Sequence, residues 1–406
     1  MFPLALAHWL ADSGLRNLPL EELVDGFSRR LNDAGVPVAR VFVGMNTLHP
    51  LIRARSLIWD RATGPSTHFE FQHGEIDTPI VRQSPFTMML QKRIPELRVR
   101  LDVPAGANDW RVFVELRAEG MTDWLGRAYP FGELTFKIGG SDSTERASQL
   151  GVVLSLTIDH VGGFSDDHLA VIHGVLPLFA LAIKGSTIGA LGHGLLETYL
   201  GADPARRVLA GSVRRGEVSS VEAVLLYADL RSFTPFADTL PGNELMARLD
   251  SCFACMVRPV SKHGGEVLKF LGDGLLAIFR IDERLRAEIC ASALAAASEA
   301  FDLMDILAET RRGDGKDTPG LDIALHVGTV QYGNVGTDAR LDFTVIGPAV
   351  NEAARIEVLC KELGQPLVMS AAFADSAASS RPHLVSLGHH RLRGVREETE
   401  LFGLAG

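Results

Sequence analysis

The stretch Val221-Glu-Ala-Val-Leu-Leu-Tyr-Ala-Asp-Leu-Arg-Ser-Phe-Thr234 decides how the rest of the chain is read. Its largely apolar part, 221–228, predicts one buried strand that ends on a carboxylate, Asp229. A loop should follow, then a helix beginning near Pro241. Downstream, 267–270 predicts a second strand that turns through Leu271-Gly-Asp-Gly274 into a third at 275–279, with Asp273 in the hairpin turn. A carboxylate at the tip of a buried strand is costly unless a cation meets it. Two such carboxylates on neighbouring strands can hold two Mg²⁺ ions side by side, the arrangement that clamps a transferring phosphoryl group.

Around this pair the second half alternates strand and helix. Residues 243–262 place Leu245, Leu249, Phe253, Met256, Val257 and Val260 on one helical face, and His263-Gly-Gly265 ends the helix. A long Ala-rich helix is expected over 283–310, strands over 321–327 and 342–346, and a helix opening at Gly347-Pro-Ala349. The β-α-β-β-α-β order is that of a ferredoxin-like core, so the fold class is α+β.

The first half reads as a separate α+β domain over 1–185. Two helices fall within 4–33, the second with Leu20, Leu23, Val24, Phe27 and Leu31 at helical spacing. Strands are expected at 38–43, 54–60, 97–103, 132–138 and 151–158, and short helices at 85–92 and 110–116. A long helix over 165–200 carries an apolar stripe and a possible bend at Pro177. All four tryptophans (Trp9, Trp59, Trp110 and Trp124) lie in this half and read as aromatic core rather than as a ligand-stacking pocket. Residues 201–220 are small, polar and basic and read as a linker, making 186–220 a helical connector ahead of a domain at 221–406.

Composition bounds the function. The 406 residues suffice for two or three cores, and 46% hydrophobic with 22% charged residues is ordinary for a soluble protein. A net charge of -10 without any Lys/Arg run argues against a nucleic-acid binder. The longest apolar run, 174–183, contains Pro177 and stops at Lys184, so no membrane span is expected. The first residues lack a basic segment before their apolar run, which argues against a signal peptide. The four cysteines, all between Cys252 and Cys360, fit a reducing cytoplasm. Cys252-Phe-Ala-Cys255 sits mid-helix without a second pair and reads as core thiols.

Three further groups carry chemistry in one reading and nothing in another. Lys269 lies between Leu268 and Phe270: it either faces solvent by strand alternation or reaches across an interface to a ligand. Asn351 and Arg355 share a helix face; with Glu352 and Glu357 nearby that face is either solvated or binds a sugar and a phosphate. The loop at Leu230-Arg-Ser-Phe233-Thr234 can present backbone N–H groups to phosphate oxygens.

Together these segments resemble the catalytic domain of class III adenylate/guanylate cyclases, over about 221–402. The resemblance rests on Tyr-Ala-Asp229-Leu-Arg-Ser-Phe-Thr, on Gly-Gly-Glu-Val-Leu-Lys269-Phe-Leu-Gly-Asp273-Gly, and on Phe-Thr344-Val-Ile-Gly-Pro-Ala-Val-Asn351-Glu-Ala-Ala-Arg355-Ile-Glu, in the right order and spacing. It implies that Asp229, Asp273 and the Leu230 carbonyl bind two Mg²⁺ ions per site, with Mn²⁺ able to substitute. The backbone of Phe233 and Thr234 would hold the β/γ-phosphates, and Lys269 and Thr344 would read the purine edge. Asn351 would orient the ribose, Arg355 would meet charge on the α-phosphate, and Arg393, where the family commonly has Lys, would reach the triphosphate. Lys with Thr suits adenine, which makes ATP the implied substrate and the Thr-type adenylate subgroup the implied placement; a guanylate cyclase and a non-catalytic nucleotide-sensing scaffold are the alternatives. The family builds its sites between two catalytic domains, and this chain has both halves, so a homodimer with two equivalent shared sites is expected. The first half resembles a GAF-type sensor domain, mainly through Gly151-Val-Val-Leu-Ser-Leu-Thr-Ile158 followed by the long helix. That likeness implies regulation there by an unidentified small molecule or protein, and the absence of Cys excludes a cysteine-linked bilin.

Overall fold

The computed structural model describes residues 3–47, 52–72, 84–103, 109–136, 148–282, 285–313, 316–377, 383–395 and 397–404. The chain divides into two compact units, Met1–Leu195 and Leu196–Gly406.

The first unit opens with helices α1 (Leu4–Leu15) and α2 (Leu20–Asp33). Strands β1 (Val38–Asn46), β2 (Ile52–Asp60) and β3 (Gly64–Gln72) come next, followed by α3 (Pro85–Lys92), β4 (Glu96–Arg100), α4 (Arg111–Ala118), β5 (Asp123–Phe136), β6 (Ser148–Ile158) and α5 (Asp166–Leu200). The strands form one antiparallel sheet in the order β3-β2-β1-β6-β5-β4. Helical spacing in α2 buries Leu23, Val24, Phe27 and Leu31 against one sheet face, together with Leu10 of α1 and Ile172, Val175, Phe179 and Ile183 of α5. Phe27 stacks on Phe179 with ring centroids 3.8 Å apart. The opposite face carries a smaller core from α3, α4 and β5 built on Met89, Phe113, Leu116 and Trp124. Strand alternation sends Leu125 to the first core and Trp124 to the second. The buried Trp59 donates from Nε1 to Asp25 Oδ1 at 2.8 Å, so these indoles serve the core as expected.

Two elements here differ from the sequence reading. Strand β3 was not expected: its sequence, Gly-Pro-Ser-Thr-His-Phe-Glu-Phe-Gln, is polar, and it forms by pairing along the open edge of β2. Strand β5 begins at Asp123, well before residue 132, while residues 137 and 138 of the expected strand lie outside the described residues. Helix α5 runs through Pro177 without ending. As a single 35-residue helix it is long and apolar enough to cross a membrane by length and composition, where the broken apolar run had suggested no span. Its residues between Ile172 and Ile183 are nonetheless part of the unit's core.

The second unit contains α6 (Ala202–Leu209), β7 (Val218–Arg231), α7 (Thr234–Thr239), α8 (Gly242–Lys262), β8 (Glu266–Leu271), β9 (Gly274–Ile281), α9 (Arg286–Gly313) and β10 (Gly320–Thr337). It continues with β11 (Arg340–Ile346), α10 (Pro348–Leu363), β12 (Leu367–Ser370), α11 (Ala371–Ser376), β13 (Leu384–His390) and β14 (Thr399–Leu404). The strand order β10-β7-β9-β8, antiparallel at each pair, is the expected ferredoxin-like sheet. Strand β12 joins β10 in parallel, β14 and β13 extend that edge, and β11 folds back on the far end of β10. Helices α8 and α9 cover one face through Cys252, Met256, Cys290, Ala293 and Ala297. On the other, Ala349 and Ala353 of α10 and Phe343 and Val345 of β11 cover Ala223, Leu225, Leu276 and Ile278.

Residues 201–220 are not a plain linker. Eight of them form α6, with Ala205 fully buried, and β7 has already begun at Val218. Charged side chains at positions 203 and 207 concealed this helix in a composition reading, because they bond to each other and to the sheet rather than to water. Strand β7 also continues past Asp229 to Arg231, and α7 precedes the helix expected near Pro241. Burial pushes the Cys252 thiol up to about 11, and Cys255 donates to the Leu303 carbonyl at 3.6 Å, as core thiols do.

Candidate active site

Asp229 lies within a paired strand rather than at its tip. On one side it is level with Asp322 of β10; on the other the pairing to β9 ends one residue earlier, at Ala228 with Leu275. There β9 turns away through Gly272 and Asp273, which brings the hairpin turn alongside the Asp229 carboxylate. A methyl group added at Gly274 would lie 2.7 Å from Asp229 Oδ1 and collide with the Ala228 carbonyl oxygen. Glycine is therefore required at 274 for the two aspartates to approach.

The electrostatics agree. Burial, then the charges of Asp273 and Asp322, push the Asp229 carboxyl up to about 6. Burial and the same three aspartates push Glu357 of α10 up to about 7. Arg231 offsets part of this charge by bonding Asp322 with both Nε, at 3.1 Å, and a terminal nitrogen. No three Asp, Glu, His or Cys groups close into a complete metal cage among the described residues. That suits Mg²⁺, which binds through one or two carboxylates plus substrate oxygens and water. Asp229, Asp273 and the Leu230 carbonyl are hard oxygen donors in a concentration of negative charge that a divalent cation relieves, so the residues present fit such an ion.

The loop after β7 is shaped for an anion. Ser232 has φ of 60°, one of three described non-glycine residues in left-handed conformation, and Phe233 beside it is right-handed helical. An alternation of this kind turns successive N–H groups to one side. Phe233 is anchored in the core and Thr234 begins α7.

Lys269 is directed by a β-bulge. Val267 pairs with Ala277 and Lys269 with Leu276, so Leu268 is an extra residue. Cross-strand partners share a face; the bulge thereby puts Lys269 on the face of Leu276, which bears β11 and α10. There Lys269 forms an ion pair with Asp342, two residues before Thr344 on the same side of β11. The structure thus joins Lys269 to the Thr344 strand, through an acid the sequence reading had not singled out.

Asn351 is exposed near the start of α10, and Arg355 follows one turn later. Gly394, at φ of 78°, lies so close to Arg355 that a Cβ there would sit 3.5 Å from a guanidinium nitrogen. The loop that carries exposed Arg393 is therefore folded against Arg355. The described contacts form three groups: Asp229, Asp273, Asp322 and Glu357; Lys269, Asp342 and Thr344; Arg355 with the Arg393 loop. Asp322 and Glu357 were missed because their signal is register and helix face, not a motif; Glu357 had read as part of a solvated face.

Comparison with known proteins gives a consistent result. A family model described as adenylate and guanylate cyclase catalytic domain matches residues 217–406. An Anabaena cylindrica protein named adenylate cyclase is 32% identical over 157 residues, 38% of this chain and 30% of that protein. A Rhizobium meliloti protein named adenylate cyclase 2 is 28% identical over 234 residues, 56% of this chain and 60% of that one. A solved structure described as a bacterial light-regulated adenylyl cyclase superposes with a TM-score of 0.47 at 25% identity, covering 57% of this chain and 64% of the other. The chain covers less than two thirds of the length of these curated relatives. Residues 217–406 belong to the adenylate and guanylate cyclase catalytic-domain family.

Proposed function

We propose that the chain is an adenylate cyclase that converts ATP to 3′,5′-cyclic AMP and pyrophosphate. In this reading it acts as a homodimer whose two sites are shared between subunits, and its GAF-like first unit controls it. The observation that carries the choice of base is the position of Lys269, turned by the bulge toward β11 and paired beside Thr344. Adenine offers an acceptor at N1 and a donor at N6, whereas guanine offers the reverse at N1 and O6. A lysine that only donates and a threonine hydroxyl that can accept match adenine. The names of the two curated relatives support the same base. The buried free thiols suit a reducing cytoplasm.

Asp229, Asp273 and the Leu230 carbonyl would hold two Mg²⁺ ions, or Mn²⁺, together with triphosphate oxygens. Such ions, when bound, neutralise phosphate charge and lower the pKa of the ribose 3′-hydroxyl. The chain's own groups do the rest. N–H groups of Phe233 and Thr234 hold the β/γ-phosphates, Lys269 and Thr344 fix the base, and Asn351 orients the ribose. Arg355 meets the charge that builds on the α-phosphate, and Arg393 reaches the triphosphate. The 3′-hydroxyl gives its proton to solvent, a bond forms from the 3′-oxygen to the α-phosphorus as the bond from that phosphorus to the α,β-bridging oxygen breaks, in line, and pyrophosphate leaves.

The test is the full chain with ATP and GTP in parallel, first with Mg²⁺ and then with Mn²⁺. Cyclic AMP and pyrophosphate should appear in equal amounts, with cyclic GMP formed far more slowly. Preference for GTP would make it a guanylate cyclase; nucleotide binding without pyrophosphate release would make it a sensing scaffold.

A further inference from the structure

Helix α6 is fastened to the sheet by a knot of charged and aromatic groups that the proposed chemistry does not use. The Asp203 carboxylate accepts from Arg207 Nε at 2.7 Å, from Arg280 at 3.2 Å and from the Tyr332 hydroxyl at 3.0 Å. The Asp203 backbone N–H donates to Glu266 Oε1 at 2.9 Å, and Glu266 Oε2 lies 3.3 Å from the same Tyr332 hydroxyl. Arg207 and Arg280 both lie over the Tyr332 ring, 5.1 and 5.9 Å from its centre. Tyr332 itself is fully buried. Burial pushes Asp203 up, but the bonds from Arg207 and Tyr332 outweigh it and leave its carboxyl below the ordinary value. It is a carboxylate with three donors, Arg207, Arg280 and Tyr332, and it is the hub of the knot.

The knot ties β8, which carries Lys269, to β10, on which the Thr344 strand β11 is paired. Glu266 begins β8, three residues before Lys269. Tyr332 precedes Gly333, which is level with Thr344, and its ring meets Phe343 edge-on at 4.9 Å. No backbone ladder joins β8 to β11: β8 pairs with β9, and β11 with β10. Where β8 and β11 approach each other directly, the ties between them are side chains, namely the half-exposed Lys269–Asp342 pair and the knot built on buried Tyr332 behind it. An exposed pair fixes geometry weakly, which leaves the knot as the stiffer of the two.

We propose that Tyr332 and Asp203 are positioning residues for Lys269 and Thr344, and that the phenol hydroxyl sets how closely the two base-reading strands approach. This rests on the assignment of that pair to the purine. Displacement of about 1 Å at a positioned group is enough to reduce turnover markedly.

The test uses full-length Tyr332→Phe, which keeps the ring and its packing, and Asp203→Asn as a second variant that retains an acceptor. Steady-state kinetics with ATP and GTP are run beside calorimetric binding of non-cyclising analogues of both nucleotides. The expected result is a loss of about tenfold in kcat/KM for ATP, carried by KM, with the ATP-over-GTP preference narrowed in both kinetics and binding. The double variant should be little worse than the worse single, because the two groups act as one unit. An unchanged preference and KM in both variants would overturn the proposal, as would an equal fall in kcat for both nucleotides with KM unaltered. A wild-type chain that neither turns over nor binds ATP in preference to GTP would refute the assignment of the base readers, and this inference with it.

Discussion

Asp229 shows how a carboxylate is kept in a state that folding alone disfavours. Its carboxyl is raised to about 6 from an ordinary 3.8 by burial and by neighbouring acids, and Glu357 to about 7 from 4.5. The folded chain therefore holds protons that the unfolded chain releases. Their contribution to metal-free stability is complete below about pH 4 and is lost as pH rises through 6 to 7. Two opposite effects follow for Asp229→Asn. Metal-free thermal unfolding at pH 7.5 should move upward by a few degrees, since a repelled charge is gone, while cyclase turnover should fall by more than about 100-fold. Wild type should gain thermal stability on adding Mg²⁺ and the variant should not; equal Mg²⁺ responses would remove Asp229 from the metal site. A second residue-scale test concerns Asp342. Asp342→Ala releases Lys269 from its only described ion-pair partner, and should lower ATP kcat/KM several-fold and narrow the preference over GTP, with thermal stability nearly unchanged because the pair is half-exposed. Parallel ATP and GTP kinetics check it. Lys269 was legible as a residue out of keeping with an apolar strand. Asp342 was not, because its role depends on a bulge at Leu268 that no local pattern announces.

Elements were legible where periodicity spoke and illegible where a partner supplied the order. Helix α2 and the apolar face of α8 follow from spacing alone. The edge strand β3, the short α7 and the charged α6 do not, since each is polar and is stabilised by what it meets. The β8–β9 hairpin is the element on which the acid site turns. Its sequence, Leu271-Gly-Asp-Gly274, announced a turn, but the reason for the second glycine lies across the sheet in Ala228 and Asp229. Gly274→Ala should force the hairpin away from β7. The expected cost is about 1–3 kcal/mol of stability and a loss of Mg²⁺-dependent activity larger than the stability change explains. Chemical denaturation and a metal titration of the same variant measure the two separately. Retained activity at unchanged metal affinity would show that the close approach of Asp273 to Asp229 is not needed.

At the scale of the whole molecule the question is how many chains make a site. Within one chain the described contacts gather the acids in one group, the base readers in another and Arg355 with the Arg393 loop in a third. Sequence motifs supply members of all three groups, though not Asp322, Asp342 or Glu357, and the contacts within one chain do not say which chain completes which. If the sites are shared across a two-fold axis, each needs Asp229 and Asp273 from one subunit and Asn351 with Arg355 from its partner. Asp273→Ala and Arg355→Ala should then each be nearly inactive alone, because every site of either homodimer lacks one essential group. Mixed and allowed to exchange, half of the dimers should be hybrids, and in each hybrid one site collects both lesions while the other is whole. Recovery to about a quarter of the wild-type rate per chain is therefore the expected ceiling. Subunit exchange must be read independently, by energy transfer between differently labelled chains, so that slow exchange is not taken for failure. Exchange with no recovered activity would mean that each chain closes its own site, and Lys269, Asp273 and Arg355 would then have to converge within a single catalytic unit.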